Sequence, residues 1–225
     1  MINNEDALFL SEALPFWKNL SDLERESIIK NIISLTYNQG SAIANGNGEC
    51  SGLLIVKEGV IRAFITSPEG RQITLYRLLA YDICIMSASC IIKNIDFVVN
   101  LEVEKQSRIL VLPTAVFNNL NNTNISVKEY AMQLVSSRFS DVMWVMEQVV
   151  FGSLPQRIAG FLMEQGDING TDTLKITHEA IANNIGTARE VVSRMLKYFE
   201  NEGAVKINRG EIKLLSYKKL KQFAR

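Results

Sequence analysis

The chain has 225 residues, 47% apolar and 21% charged, enough for one large domain or two modest ones with buried cores. No apolar run approaches a membrane span, the acidic start lacks the basic-then-apolar order of a signal peptide, and Cys50, Cys84 and Cys90 are too few and scattered for a disulfide framework; a cytoplasmic protein without a membrane partner is expected. Net charge is zero, but residues 1–150 carry 12 basic against 16 acidic side chains and residues 151–225 carry 12 against 8, so an acidic first part joins a basic last part suited to nucleic acid.

Ser21-Asp-Leu-Glu24 matches a capping box and predicts a helix over 21–31. Short β-rich runs follow at 53–56, 60–65, 72–77, 83–86, 97–103 and 109–112. Turn signals such as Glu58-Gly59 and Ser67-Pro-Glu-Gly70 punctuate them, which predicts an antiparallel sandwich or barrel. Residues 125–150 then hold one long helical pattern without Gly or Pro. Ile125, Met132, Val135, Phe139, Val142, Met146 and Val149 step through it as a heptad seam, with Lys128 the one polar intruder. Either the β domain covers this seam or a second copy of the chain does. The seam's length favours the copy, with Met132, Val135, Phe139, Val142, Met146 and Val149 at the interface. Gly152 and Pro155 break the helix at a predicted hinge. Helical patterns resume at 156–165 and 177–202, and residues 204–215 read as a hairpin turning at Asn208-Arg-Gly210.

The stretch from Thr177 to Phe199 has the frame of a helix-turn-helix. Two helices crossing steeply need a small residue at their contact, and Ala182 supplies it. Gly186 permits the positive φ of the turn, and Val192 presents an apolar face to the first helix, beside Ile181, Ile185 and Met195. Thr187-Ala-Arg-Glu190 is a second capping-box match, which predicts that the second helix starts at Thr187. Its outward positions include Arg189, Glu190, Ser193, Arg194 and Lys197. Arg can grip a guanine edge with two hydrogen bonds and Glu can accept from cytosine, so this face suits the major groove; Glu190 is shared between capping and reading. Thr177, His178, Thr187, Ala188 and the hairpin's Arg209 complete the candidate contacts to double-stranded DNA.

The residues Ile176-Thr-His-Glu-Ala-Ile-Ala182 and Thr187-Ala-Arg-Glu-Val-Val-Ser-Arg194, with the hairpin Arg209-Gly-Glu-Ile212, resemble the Crp/Fnr regulators. Residues 53–62 and 67–77 are similar to the β-roll of that family's sensor domain, and Gln156-Arg-Ile-Ala159 to the first helix of its DNA-binding domain. The resemblance implies an α+β fold: an antiparallel β-roll (a double-stranded β-helix or jelly-roll) over 1–112, a linking dimerisation helix over 113–150 and a winged helix-turn-helix over 151–225. It further implies a homodimeric transcription regulator, with RNA polymerase as a further partner and an unidentified small-molecule or redox effector in the roll. The second helix satisfies both recognition patterns of the family, Arg-Glu-x-x-x-Arg (Arg189, Glu190, Arg194) and Glu-x-x-Ser-Arg (Glu190, Ser193, Arg194). The implied half-site is TGTGA-like or TTGA-like, repeated about one helical turn away.

The departures from the family bear on the signal. Cyclic-nucleotide-binding members carry Gly-Glu and Arg-Ser/Thr pairs, but the corresponding stretch from Tyr81 to Asn94 has neither, and no Arg stands between 78 and 107. No Cys precedes Cys50, and the one His is His178 in the helix-turn-helix. No cofactor is therefore expected: neither cyclic AMP, nor an iron–sulfur cluster, nor haem, nor another metal. Tyr81, Cys84 and Cys90 remain as effector or redox candidates, although buried strand thiols acting as small hydrophobes are the commoner case for such cysteines. Arg62, Arg71 and Arg77 line an anion pocket or, equally, are surface strand charges. A ligand-binding β domain with a protein-binding helical tail is the competing reading. No Ser/His/Asp set, phosphate loop or metal-ligand spacing supports an enzyme.

Overall fold

The computed structural model describes residues 4–44, 52–84 and 99–224. Its contacts divide into two compact units, one of residues 1–65 and 75–142, the other of 66–74 and 143–225.

The first unit opens with helix α1 (Asn4–Ala13), a 3-10 turn (Trp17–Asn19) and helix α2 (Asp22–Asn31). The capping box at Ser21 is present: the Ser21 N–H donates to Glu24 Oε2 at 2.7 Å, and the Glu24 N–H returns to Ser21 Oγ at 3.3 Å. Strands β1 (Ile33–Tyr37), β2 (Ala42–Ala44), β3 (Leu53–Thr66), β4 (Gln72–Leu78), β5 (Ile83–Cys84) and β6 (Asn100–Leu112) follow. They form an antiparallel sheet ordered β1-β6-β3-β4, with β2 on β6 and β5 on β3. This is the expected β-roll.

Two predicted strand pairs prove to be single long strands. Glu58-Gly59 does not turn the chain; β3 runs through it, and its register against β6 shifts between Val56 and Ile61. Gly59 has φ +100°, and a Cβ there would sit 2.2 Å from Ser107 Oγ and 2.5 Å from the Gln106 carbonyl, so the site is a bulge that only glycine fits. In the same way the 97–103 run, whose residues 97 and 98 lie outside the described residues, continues from Asn100 into 109–112 as β6, because polar residues between them stay paired with β3.

One face of the sheet, with Leu53, Ile55, Ile83, Leu110 and Leu112, packs against Leu10 of α1, Leu14 just after it and Ile28 of α2. Phe117 and Leu120 of helix α3 (Thr114–Thr123), and Val127, Ala131 and Leu134 of helix α4 (Ile125–Val150), complete this core. The alternate residues Leu54 and Val56 are also fully buried, so the middle of β3 is enclosed on both faces. Asp6 clamps α1 to the roll. Its carboxylate accepts from Lys57 Nζ at 2.8 Å and from Arg108 Nη2 at 2.8 and 2.9 Å, and only 1% of Asp6 is exposed.

The second unit holds helix α5 (Leu154–Asn169), strand β7 (Thr173–Leu174), helices α6 (His178–Ile185) and α7 (Arg189–Asn201), strands β8 (Val205–Asn208) and β9 (Glu211–Leu214), and helix α8 (Tyr217–Phe223). Its sheet is ordered β7-β9-β8, and Asn208 pairs with Glu211 across the predicted turn. The core gathers Ile158, Leu162, Ile181, Val192, Leu196, Phe199, Val205 and Ile212, all with at most 1% exposure. Phe199 stacks on Phe223 at 4.6 Å, which seats α8.

Breaking a buried charge set leaves its partners uncompensated, at a cost of about 3–5 kcal/mol, whereas an exposed pair contributes under about 1 kcal/mol. Asp6→Ala is expected to lower the urea unfolding midpoint strongly. Asp22→Ala, whose carboxylate pairs with Arg25 at 3.2 Å on the surface, should barely move it.

Candidate nucleic-acid interface

Helix α6 starts with Thr177 as its cap, the Thr177 hydroxyl accepting from the Ala180 N–H at 3.0 Å. It ends at Gly186, which takes φ +70° as the left-handed turn requires. The Gly186 and Thr187 N–H groups both donate to the Ala182 carbonyl, the latter at 3.0 Å. Arg157 of α5 donates to the Ile185 carbonyl and so holds the same helix end. Ala182 and Val192 are buried at the α6–α7 contact with Ile181 and Ile185, and Met195 is half-buried beside them. The predicted frame is therefore the observed one.

The start of the second helix is not. Thr187 is spent closing α6, so α7 begins at Arg189 with Ala188 as an N-cap that offers no side-chain bond. The predicted capping box at Thr187 and Glu190 does not form, and Glu190 is released from its shared role. The first-turn amides of α7 consequently lack a side-chain acceptor, the condition that suits a phosphate oxygen.

Val192, Leu196 and Phe199 bury one face of α7. The opposite face presents Arg189, Glu190, Arg194 and Lys197 to solvent, with Ser193 half-buried among them. Lys197 Nζ pairs with Glu200 at 2.7 Å, and the other Glu200 oxygen accepts the Ile207 N–H at 2.9 Å. Glu200 thereby joins α7 to the β8–β9 wing, and Lys197 together with the Ile207 N–H holds its pKa below the ordinary carboxylate value. An exposed pair of this kind contributes under about 1 kcal/mol, so Lys197 can exchange Glu200 for a phosphate at small cost. Arg209 is exposed at the wing tip, next to Gly210 with φ +77°. His178 opens α6, and its Nδ1 lies 2.8 Å from Ser193 Oγ, which in turn donates to the Arg189 carbonyl at 3.0 Å. That contact ties the two helices together and was not legible in the sequence, because nothing in the spacing of residues 178 and 193 marks a pair.

The seam residues of α4 are divided as follows. Val127, Ala131 and Leu134 face the core of the first unit. Met132 is 67% and Phe139 65% exposed, Met146 and Val149 are exposed as well, and Val135 and Val142 are half-buried. Among the described residues Val135 packs against the core of the first unit, whereas Met132, Phe139, Met146 and Val149 stay exposed.

The effector candidates also have places. Arg62 and Arg77 are not surface charges: both side chains are nearly buried, Arg62 pairing with Glu102 at 3.4 Å and Arg77 with Glu104 at 2.7 and 3.0 Å. Burial pulls the Arg62 pKa down, against the opposing pull of Glu104 and Glu102. Cys84 is buried, 3.9 Å from the Tyr76 hydroxyl, and Arg138 of α4 lies over the Tyr76 ring at 4.6 Å. Burial, then Cys84, pushes the Tyr76 hydroxyl far above its ordinary pKa. Tyr81 is exposed with φ +72°, its ring 4.9 Å from Phe9 and its hydroxyl donating to Glu12 at 3.2 Å. Cys50 and Cys90 lie outside the described residues. Among the described residues no group of three or more His, Cys, Asp or Glu is placed to hold a metal, and no helix is long and apolar enough to cross a membrane.

The fold and this face define a class: a β-roll and a long helix carried on one chain with a winged helix-turn-helix. Residues 156–223 match the Crp-like helix-turn-helix domain. A solved structure from Eubacterium rectale, of a protein assigned to the Crp/Fnr family of transcriptional regulators, is 44% identical with a TM-score of 0.92. The match covers 95% of this chain and 99% of that one. A Crp/Fnr regulator from Thermus thermophilus shares the fold at 22% identity and a TM-score of 0.71, over 85% of this chain and 98% of that one. The transcriptional regulator SdrP of Thermus thermophilus is 31% identical over 84 residues, a stretch covering 35% of this chain and 42% of that protein. The chain belongs to the Crp/Fnr family of transcriptional regulators.

Burial, and then the Arg189 guanidinium, hold His178 below the ordinary histidine pKa of 6.5. The unfolded chain therefore binds this proton more readily than the folded one. The contribution of the neutral ring to stability is complete above 6.5 and is lost as pH falls through the lower folded value. The thermal stability of the second unit is expected to fall as the pH is lowered from about 7 to about 5, and to fall less in His178→Gln, by calorimetry.

Proposed function

We propose that the protein is a dimeric, sequence-specific DNA-binding regulator of transcription. The observation that carries this reading is α7: its buried face is fixed by Val192, Leu196 and Phe199, and its other face offers Arg189, Glu190, Arg194 and Lys197 to solvent. A helix so presented fits the major groove, while the Arg209 wing and the amides at the start of α7 meet phosphates. The net positive charge of residues 151–225 supports a salt-dependent affinity. Membership of a family of transcriptional regulators supports regulation over catalysis.

In this reading two chains zip along the exposed seam of α4 and the operator is a pseudo-palindrome of two half-sites about one helical turn apart. RNA polymerase and an effector acting on the β-roll are the further partners. The effector is neither a cyclic nucleotide nor a gas bound to haem or an iron–sulfur cluster, given the missing Arg between 78 and 107, the absence of Cys before 50 and the single histidine at 178.

Gel retardation on a pseudo-palindromic duplex should give saturable binding above random DNA. Arg194→Ala should weaken it by about 1–3 kcal/mol, and Arg209→Ala should weaken all sequences alike while lowering the salt slope by about 1. Equal affinity for random DNA would refute the reading. By sedimentation equilibrium, Phe139→Glu is expected to raise the dimer Kd at least about a hundredfold, because two carboxylates would meet in an apolar seam. An unchanged Kd would place the dimer contact elsewhere.

A further inference from the structure

The geometry points to His178 as a positioning residue that acts through Ser193: it ties α6 to the outer face of α7 and removes the Ser193 hydroxyl from base reading. This inference rests on the DNA-binding reading above and narrows it.

A serine hydroxyl has one hydrogen to give and two lone pairs to offer. Ser193 gives its hydrogen to the Arg189 carbonyl at 3.0 Å, one helical turn back. His178 Nδ1, at 2.8 Å, must then carry its own proton and donate to Ser193 Oγ. In the neutral ring this fixes the Nδ1–H tautomer, and protonation at Nε2 leaves the bond intact. The ring lies partly under α7, and Arg189, the cation that faces it, depresses its pKa. Ser193 thus has no hydrogen left for a base, and one of its lone pairs is taken. Contacting a base edge as a donor requires giving up the Arg189 carbonyl, and moving outward requires giving up His178.

Arg189 and Arg194 have no such commitment on the same face, and both side chains are exposed. Of the two recognition patterns that α7 satisfies, Arg189-Glu190-x-x-x-Arg194 keeps all its polar groups available, whereas Glu190-x-x-Ser193-Arg194 has its serine turned to internal use. Sequence preference therefore follows the arginines and Glu190. The His178–Ser193 pair sets the angle at which they arrive.

The test selects bound sequences from a duplex library randomised over both half-sites, using the full-length protein and the variants His178→Ala, His178→Asn, Ser193→Ala, the His178→Ala/Ser193→Ala double and Arg189→Ala. Thermal melts of each confirm folding. His178→Ala and Ser193→Ala should each weaken binding by about fivefold, the worth of one hydrogen bond, with the selected sequence unchanged. The double variant should be no weaker than either single one, since both remove the same bond. His178→Asn, which keeps an N–H near the position of Nδ1, should recover most of the loss. Arg189→Ala should erase the preference at one base pair. A changed preferred base in Ser193→Ala, or additive losses in the double variant, would overturn the inference while leaving DNA reading intact. A wild-type protein that enriches no sequence would overturn both.

Discussion

The constraint on which the molecule depends is that α4 carries apolar residues well beyond those that join the core of the first unit. A helix stripe needs a partner surface, and α4 has two stripes on different faces. The roll accepts Val127, Ala131 and Leu134 into a core shared with α1, α2 and α3. The second stripe, through Ile125, Met132, Phe139 and Met146, is exposed among the described residues. In the proposed function a second copy covers it by symmetry, because the same seam is self-complementary in a two-fold pair. In the proposed function, then, dimer formation is a consequence of how the roll consumes one face of the helix. The residues of α4 are divided between the two compact units.

Much of this was readable from the residues, and what was not fails for identifiable reasons. Ala182, Gly186 and Val192 are steric requirements of a tight helix crossing, so they betray the helix-turn-helix from sequence alone. The bounds of α4 follow from an uninterrupted period with neither Gly nor Pro. The same logic failed at Gly59, where glycine signals either a turn or a bulge and only pairing with β6 decides which. It failed again at Arg62 and Arg77. Alternation marks two faces of a strand, but along β3 residues of both faces are buried, and an arginine paired with a glutamate distant in the chain leaves no local trace. Edge strand β1 went unseen because its residues are largely exposed and carry little pattern. Ser21 and Thr187 carry the same capping signal, yet only Ser21 uses it; the turn at Gly186 claims Thr187 first.

The recognition helix is consequently positioned from outside itself. Its first turn lacks a side-chain cap, its middle is tied to α6 through Ser193 and His178, and its last turns are tied to the wing through Glu200. A helix held at its flanks can leave its N-terminal amides and its arginines available. Self-capping would have occupied the atoms that a phosphate or a base edge needs. The arrangement trades a little intrinsic helix stability for an available polar face, a division in which neighbouring elements supply the order that the local sequence withholds.

The Asp6 clamp carries a further implication for how the chain tolerates change. Lys57 and Arg108 stand on the two long central strands of the roll, and both direct their charge at one carboxylate on the N-terminal helix. Trimming α1 would therefore not resemble the loss of a tail. It would strip Phe9 and Leu10 from the core and strand two cations at the edge of an apolar interior at once. Helix α1, polar though its first turn is, behaves as a keystone of the roll.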